Sequence, residues 1–164
     1  MQKNLNRTFF SIIIIIYFFL SSRICLANTI PSCEHTNTSF KCVKYISNFD
    51  GDTITFDIPN VHPFFGYHAH VRIYGVDAPE ITSDNKCEKK VAELAKNRIA
   101  TVLLAAKKID LLNVATEKYG RILAEVLVDD SVNLGPLLLK ENLAYEYYGA
   151  TKKKINWCLY KNSH

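Results

Sequence analysis

The sequence predicts a mainly β fold with helices: a small five-stranded barrel, one amphipathic helix inserted after the third strand, and a short second helix. Three observations carry this expectation. Five extended runs rich in β-branched and aromatic residues recur along the chain, one long segment between the third and fourth of them shows helical spacing of apolar residues, and Asp-Gly and Pro turns punctuate the rest. The 164 residues suffice for one domain, and a hydrophobic content of 48% is that of a globular chain.

Residues 1–27 read as a signal peptide: Lys3 and Arg7 precede an apolar run over 9–20, and Cys25-Leu26-Ala27 offers a cleavage site. The run is only twelve residues long, whereas a spanning helix needs roughly 20, so removal is expected rather than stable membrane association. Arg23-Ile24 before Cys25 lacks the small residue that precedes a lipidated cysteine. Cleavage after Ala27 leaves 17 Lys and Arg against 16 Asp and Glu, a net charge of +1. Bulk charge therefore gives no support for a protein that coats nucleic acid, and any such binding depends on local clusters. Four cysteines remain, Cys33, Cys42, Cys87 and Cys158. An even count behind an export signal points to disulfides in an oxidising compartment, periplasmic or extracellular. Of three possible pairings we expect Cys33 with Cys42 and Cys87 with Cys158. No tight CxxC pair suggests zinc.

Residues 28–39 are polar and turn-rich and read as an N-terminal arm, with the folded domain over 40–164. KCVKYIS and DTITFDI flank Asn48-Phe49-Asp50-Gly51, a hairpin signal. Ile54, Phe56 and Ile58 share one face of the second run, and strict alternation turns Asp52 toward that same apolar side. A loop rich in Pro, Asn, Gly and aromatics over 59–66 leads to the third run, YHAHVRIYGV, which stops at Asp77-Ala78-Pro79-Glu80 because proline ends the pairing. Arg72 and Asp77 are five apart, so an uninterrupted strand would send them to opposite faces; a bend at Gly75 or Pro79 is needed to bring them together. The helix is expected over 84–107, with Val91, Leu94, Ala95, Ile99, Val102, Leu103 and Ala106 inward and Ser83 or Asp84 as cap. KIDLLNVAT and RILAEVLVD follow, and then a short helix around 134–141. This order fits a barrel of the oligonucleotide/oligosaccharide-binding type, although strand count alone admits other barrels.

Asp50-Gly51-Asp52-Thr53, the stretch Val71-Arg72-Ile73-Tyr74-Gly75-Val76-Asp77-Ala78-Pro79-Glu80, Glu117-Lys118-Tyr119-Gly120-Arg121 and Asn142-Leu143-Ala144-Tyr145 together resemble the staphylococcal nuclease family over about residues 45–148. The resemblance implies an exported endonuclease that hydrolyses DNA and/or RNA with little sequence preference and leaves 3'-phosphorylated products. It implies calcium (Ca2+) held by Asp52, Asp77 and the Ala78 carbonyl, where relatives often carry threonine. It also gives Arg72, Glu80 and Arg121 as the catalytic groups, and Lys118, Tyr119 and Tyr148 as contacts to substrate. These residue types suit the chemistry: carboxylates bind a hard cation, arginines neutralise phosphoryl oxygens, and a glutamate activates water. Read singly, an Arg or Glu at a strand end is a surface ion pair; five functional positions in the right order of elements outweigh that. The protein is expected to be a monomer.

The competing expectation is a noncatalytic nucleic-acid-binding or protein-interaction module on the same barrel, which retention of all five residues disfavours. His68 and His70 lack a third ligand, and Lys152 to Lys154 read as a solvated run outside the site. Only 15 residues follow Gly149, too few for the long C-terminal helix of the family's best-known member. A Cys87–Cys158 bridge would fasten the shortened tail, typically a gain of roughly 2–4 kcal/mol.

Overall fold

Alternation of apolar and polar residues builds a sheet with one face in the core, and the computed structural model describes this for residues 33–117 and 120–162. The expected signal peptide, the first residues of the arm, Lys118 and Tyr119 lie outside the described residues. The strands are β1 (Ser39–Phe40), β2 (Lys44–Asn48), β3 (Thr53–Asp57), β4 (Ala69–Ile73), β5 (Val76–Asp77), β6 (Ile109–Thr116), β7 (Ile122–Val128), β8 (Val132–Asn133) and β9 (Tyr145–Glu146). The helices are α1 (Pro63–Gly66), α2 (Lys86–Ala105), α3 (Leu134–Lys140) and α4 (Trp157–Tyr160). The five longer strands β2, β3, β4, β6 and β7 are the five expected runs, with α2 after the third. The fold is mainly β with helices, consistent with the expected barrel type.

The main sheet runs β1-β6-β7-β4-β3-β2, with β8 added to β7, and β5 pairs with β9 in a second, two-stranded sheet. All ladders are antiparallel except β4 with β7, which is parallel. Among the described strands the ladders form an open path rather than a closed ring. Its two ends, β1 and β2, are nevertheless halves of one extended stretch, separated by a bend at Cys42 (φ 56°). The Val43 N–H donates to the Ile109 carbonyl at 2.9 Å, so the chain passes from β6 to β3 with the backbone satisfied.

Ile54, Phe56, Val71, Ile73, Leu111, Ala124 and Val126 fill the sheet's inner face, and Val91, Ala95, Ile99 and Leu103 of α2 cover it. Leu94, expected inward, is exposed. The helix starts later than the sequence suggests because Asn85 is the cap: its side chain accepts from the Cys87 and Glu88 N–H groups. Ser83 is engaged instead, donating to Glu88 at 2.7 Å. The helix is tied to α3's end by a two-pronged Arg98–Glu141 ion pair at 2.8–3.0 Å.

Both expected disulfides are present. Cys33–Cys42 closes the arm at a Cα–Cα distance of 5.4 Å, and Cys87–Cys158 joins the first turn of α2 to α4 at 5.3 Å. They agree with an oxidising environment. No helix among the described residues is long and apolar enough to cross a membrane.

Candidate active site

The site begins at the turn between β2 and β3. Asp50 Oδ1 accepts from the Asp52 and Thr53 N–H groups at 3.0 and 2.7 Å, a side-chain-stabilised turn. Gly51 lies under α2: a Cβ there would meet the Ala95 Cβ at 2.7 Å and the Ala78 Cβ at 3.0 Å. Asp52 follows at 2% exposure, on the inner side with Ile54 and Phe56, as alternation requires.

The register problem between Arg72 and Asp77 is solved by a turn. β4 ends at Ile73, Gly75 adopts φ 81°, and the chain leaves the main sheet as β5 to pair with β9, Asp77 opposite Tyr145. Arg72 then bridges two buried carboxylates. Its Nη1 donates to Asp52 Oδ1 at 2.8 Å, and its Nη2 donates to Asp77 Oδ1 at 2.6 Å. The Val76 carbonyl accepts from Nη2 at 3.3 Å. Asp77, 3% exposed, also accepts from the Tyr145 hydroxyl at 2.8 Å, and Asp52 Oδ2 accepts from the Ala78 N–H at 2.7 Å. Burial and then Asp77 push the Tyr145 hydroxyl up to about 12.

Parallel pairing of β4 with β7 brings in the second arginine. Arg72 lies beside Leu123, so Arg121, two residues earlier, projects from the same face. The turn closes with a 2.9 Å bond from the Glu117 N–H to the Arg121 carbonyl. Arg121 Nε and Nη2 donate to the two Glu117 oxygens at 2.7 and 2.9 Å, and Nη1 reaches Thr53 Oγ1 at 3.4 Å. Glu80 follows the buried Pro79, and its backbone N–H donates to Glu88 at 3.2 Å.

Arg72, Glu80 and Arg121 line one cleft of about 580 Å³, together with Asp50, Thr53 and Tyr147. Asp52 and Asp77 lie beneath it, bonded to Arg72. Two placements depart from expectation. Tyr148 does not reach this cleft; it is exposed, packs against Tyr74 at 5.6 Å and lines a separate pocket, whereas Tyr147 lines the cleft with its ring 5.9 Å from the Arg72 guanidinium. Lys152 does reach it, with Nζ 2.8 Å from Glu80 Oε1 and 3.1 Å from Asp77 Oδ1. Its lysine run carries no local signal of this, since only the folded tail decides where the ammonium lands. Lys118 and Tyr119 lie outside the described residues. His70 Nδ1 pairs with Thr55 Oγ1 at 3.2 Å and His68 stacks on Tyr67, so each histidine is engaged in a local contact.

The donor chemistry at Asp52 and Asp77 suits a hard cation. Burial pushes Asp52 up to about 7 despite the opposing attraction of Arg72, with Asp50 and Asp77 adding to the rise. In this structure the two carboxylates are matched by the Arg72 guanidinium and, at Asp77, by the Lys152 ammonium. Among the described residues no three His, Cys, Asp or Glu side chains converge into a preformed metal cage. A cation here would rest on two carboxylates, a backbone carbonyl and water, a set that calcium accepts.

Residues 70–162 match the family model for staphylococcal nuclease homologues, more than half of the chain. The chain belongs to that family. No curated protein matches it. The matched stretch contains Arg72, Asp77, Ala78, Glu80 and Arg121; Asp52 precedes it and is brought to the site by the β3–β4 ladder, in which Thr53 faces Arg72. Membership of the staphylococcal nuclease family makes the domain a nuclease-type or nucleic-acid-binding module.

Proposed function

We propose that the protein is an exported, monomeric, calcium-dependent endonuclease that hydrolyses phosphodiester bonds of DNA and/or RNA with little sequence preference. One observation carries this reading: Arg72, Glu80 and Arg121 share a single open cleft directly above the buried Asp52–Arg72–Asp77 cluster. The two disulfides support the exported setting.

Phosphodiester hydrolysis needs an activated water and neutralised phosphoryl oxygens. Glu80 is the half-exposed carboxylate of the cleft, and it orients and deprotonates the attacking water. Arg121, gripped by Glu117, presents its remaining donor edge to a phosphoryl oxygen, and Arg72 does so from the neighbouring strand on the same face. Asp52, Asp77 and the Ala78 carbonyl would hold calcium, which polarises the phosphate when bound. The water oxygen bonds to phosphorus as its proton passes to Glu80, and the bond to the 5' oxygen breaks, that oxygen taking a proton from solvent to leave as a hydroxyl. The product keeps a 3' phosphate.

The test is digestion of denatured DNA and of RNA, with calcium or with chelator, by the parent, Glu80→Gln and Arg121→Ala. Each substitution is expected to lower the rate by on the order of 100-fold or more. Equal rates in all three proteins would remove these residues from catalysis, and chelator-resistant cleavage would remove calcium.

A further inference from the structure

A second groove adjoins the cleft. It measures about 750 Å³, within the range of small-ligand sites, and Thr116 and Arg121 line both it and the cleft. Its far wall is the excursion between β3 and β4, where Phe64 is 82%, Phe65 68% and Tyr67 65% exposed. These rings are held on an ordered frame. His62 caps α1 by accepting from the Phe64 N–H, the Ile58 N–H donates to the Gly66 carbonyl at 2.8 Å, and the His68 N–H donates to Asp57 at 2.8 Å. Gly66 is packed so closely that a Cβ would lie 2.6 Å from the Ile58 carbonyl oxygen. Three large rings fixed outside the core, two on a short helix that buries only Gly66 and Tyr67 directly after it, mark an interaction surface.

The occupant follows from what borders the rings. The groove joins the place where Arg121 meets a phosphate, and among the described residues that line it Arg121 is the one Lys or Arg. An anionic membrane surface calls for a basic cluster, which this wall lacks. A nucleobase needs a flat apolar partner close to a phosphate contact, and aromatic side chains supply it for any base.

We propose that the groove is a base-binding subsite. A single-stranded nucleic acid with its scissile phosphate at Arg121 lays the bases beyond the scissile dinucleotide against Phe64, Phe65 and Tyr67. This rests on the nuclease reading and adds to it a substrate class: single strands longer than a dinucleotide, held partly by stacking. It fits a mature chain with a net charge near +1, which cannot rely on bulk attraction.

The test compares Phe64→Ser/Phe65→Ser with the parent, both in a Glu80→Gln background for binding and both with Glu80 intact for cleavage. Fluorescence anisotropy with labelled oligo(dT) of two and eight nucleotides reads the groove. The double variant is expected to bind the octanucleotide about tenfold or more weakly, the dinucleotide equally, and to retain dinucleotide cleavage. The lost increment should vary little between 50 and 200 mM salt, unlike the arginine contact. Equal octanucleotide affinity in parent and variant overturns the subsite. So does loss of binding to phosphatidylcholine vesicles with oligonucleotide binding intact. If the parent cleaves nothing yet its octanucleotide binding depends on the two rings, the nuclease reading falls and the subsite stands.

Discussion

Lys152 occupies a place that decides the charge of the site. Its ammonium spans Glu80 and Asp77, and although burial works against its charge, the bond to Glu80 and the field of Asp77 hold its proton well above the usual lysine range. It thus supplies part of the positive charge that a calcium ion would bring. We predict that Lys152→Met tightens calcium binding by a factor of about 2–5, the ratio that ~0.5–1 kcal/mol of a half-exposed ion pair represents. Calorimetric titration of calcium checks it, and an unchanged or weaker affinity would show that the ammonium does not compete with the cation. Gly51 acts through space rather than charge. Gly51→Ala forces a Cβ into Ala95 of α2, and a loss of about 1–3 kcal/mol is expected from urea unfolding.

At the scale of elements, the bend between β1 and β2 is held by one buried carboxylate. Asp110 in β6 accepts from the Cys42 N–H at 3.0 Å and from the Lys41 and Lys108 ammonium groups at 3.1 and 3.2 Å. Burial opposes its charge, but these three partners outweigh burial and hold its carboxyl below the usual carboxylate value. A depressed folded value means that the stabilisation is complete above the unfolded value of about 3.9 and disappears as pH falls through the folded one. Asp110→Asn should therefore be less stable than the parent at pH 7, with the gap closing below about pH 4; urea unfolding at pH 7 and pH 3 measures it. A gap independent of pH would assign the loss to packing. Nothing in the sequence singled out Asp110, because two of its three partners, Lys41 and Cys42, lie 69 and 68 positions away. Features set by local pattern were legible: the five runs, the inward Asp52, and the break at Gly75 that turns Asp77 to Arg72. The cap at Asn85 was missed because Ser83, Asp84 and Asn85 are all competent and only the tertiary hydrogen bonds choose between them. Tyr147 and Tyr148 are likewise adjacent and chemically alike, and only the path of β9 after Tyr145 sends the former to the cleft.

At the scale of the whole molecule, the C-terminal stretch reaches the cleft because its end is fastened elsewhere. Cys158 bonds to Cys87 at the start of α2, and Trp157 is buried, 6.0 Å from the Tyr145 ring and 5.5 Å from that of Tyr160. The Tyr160 hydroxyl donates to the Ala144 carbonyl at 3.0 Å, next to Tyr145, which itself bonds Asp77. The segment between Tyr148 and Trp157 has no helix or strand of its own, so its course, and with it Lys152, is fixed by these two ends together with Ile155, which packs against the core. Replacing Cys87 and Cys158 together by serine removes a closure of 71 residues and should cost roughly 2–4 kcal/mol in urea unfolding. The same change should loosen Lys152 from Glu80 and Asp77, so the calcium affinity of the double serine variant should shift toward that of Lys152→Met. Combining all three substitutions then gives less than the sum of their effects on calcium binding, because the bridge acts on the site through the lysine. Full additivity would mean that the bridge stabilises the fold without positioning the tail over the cleft.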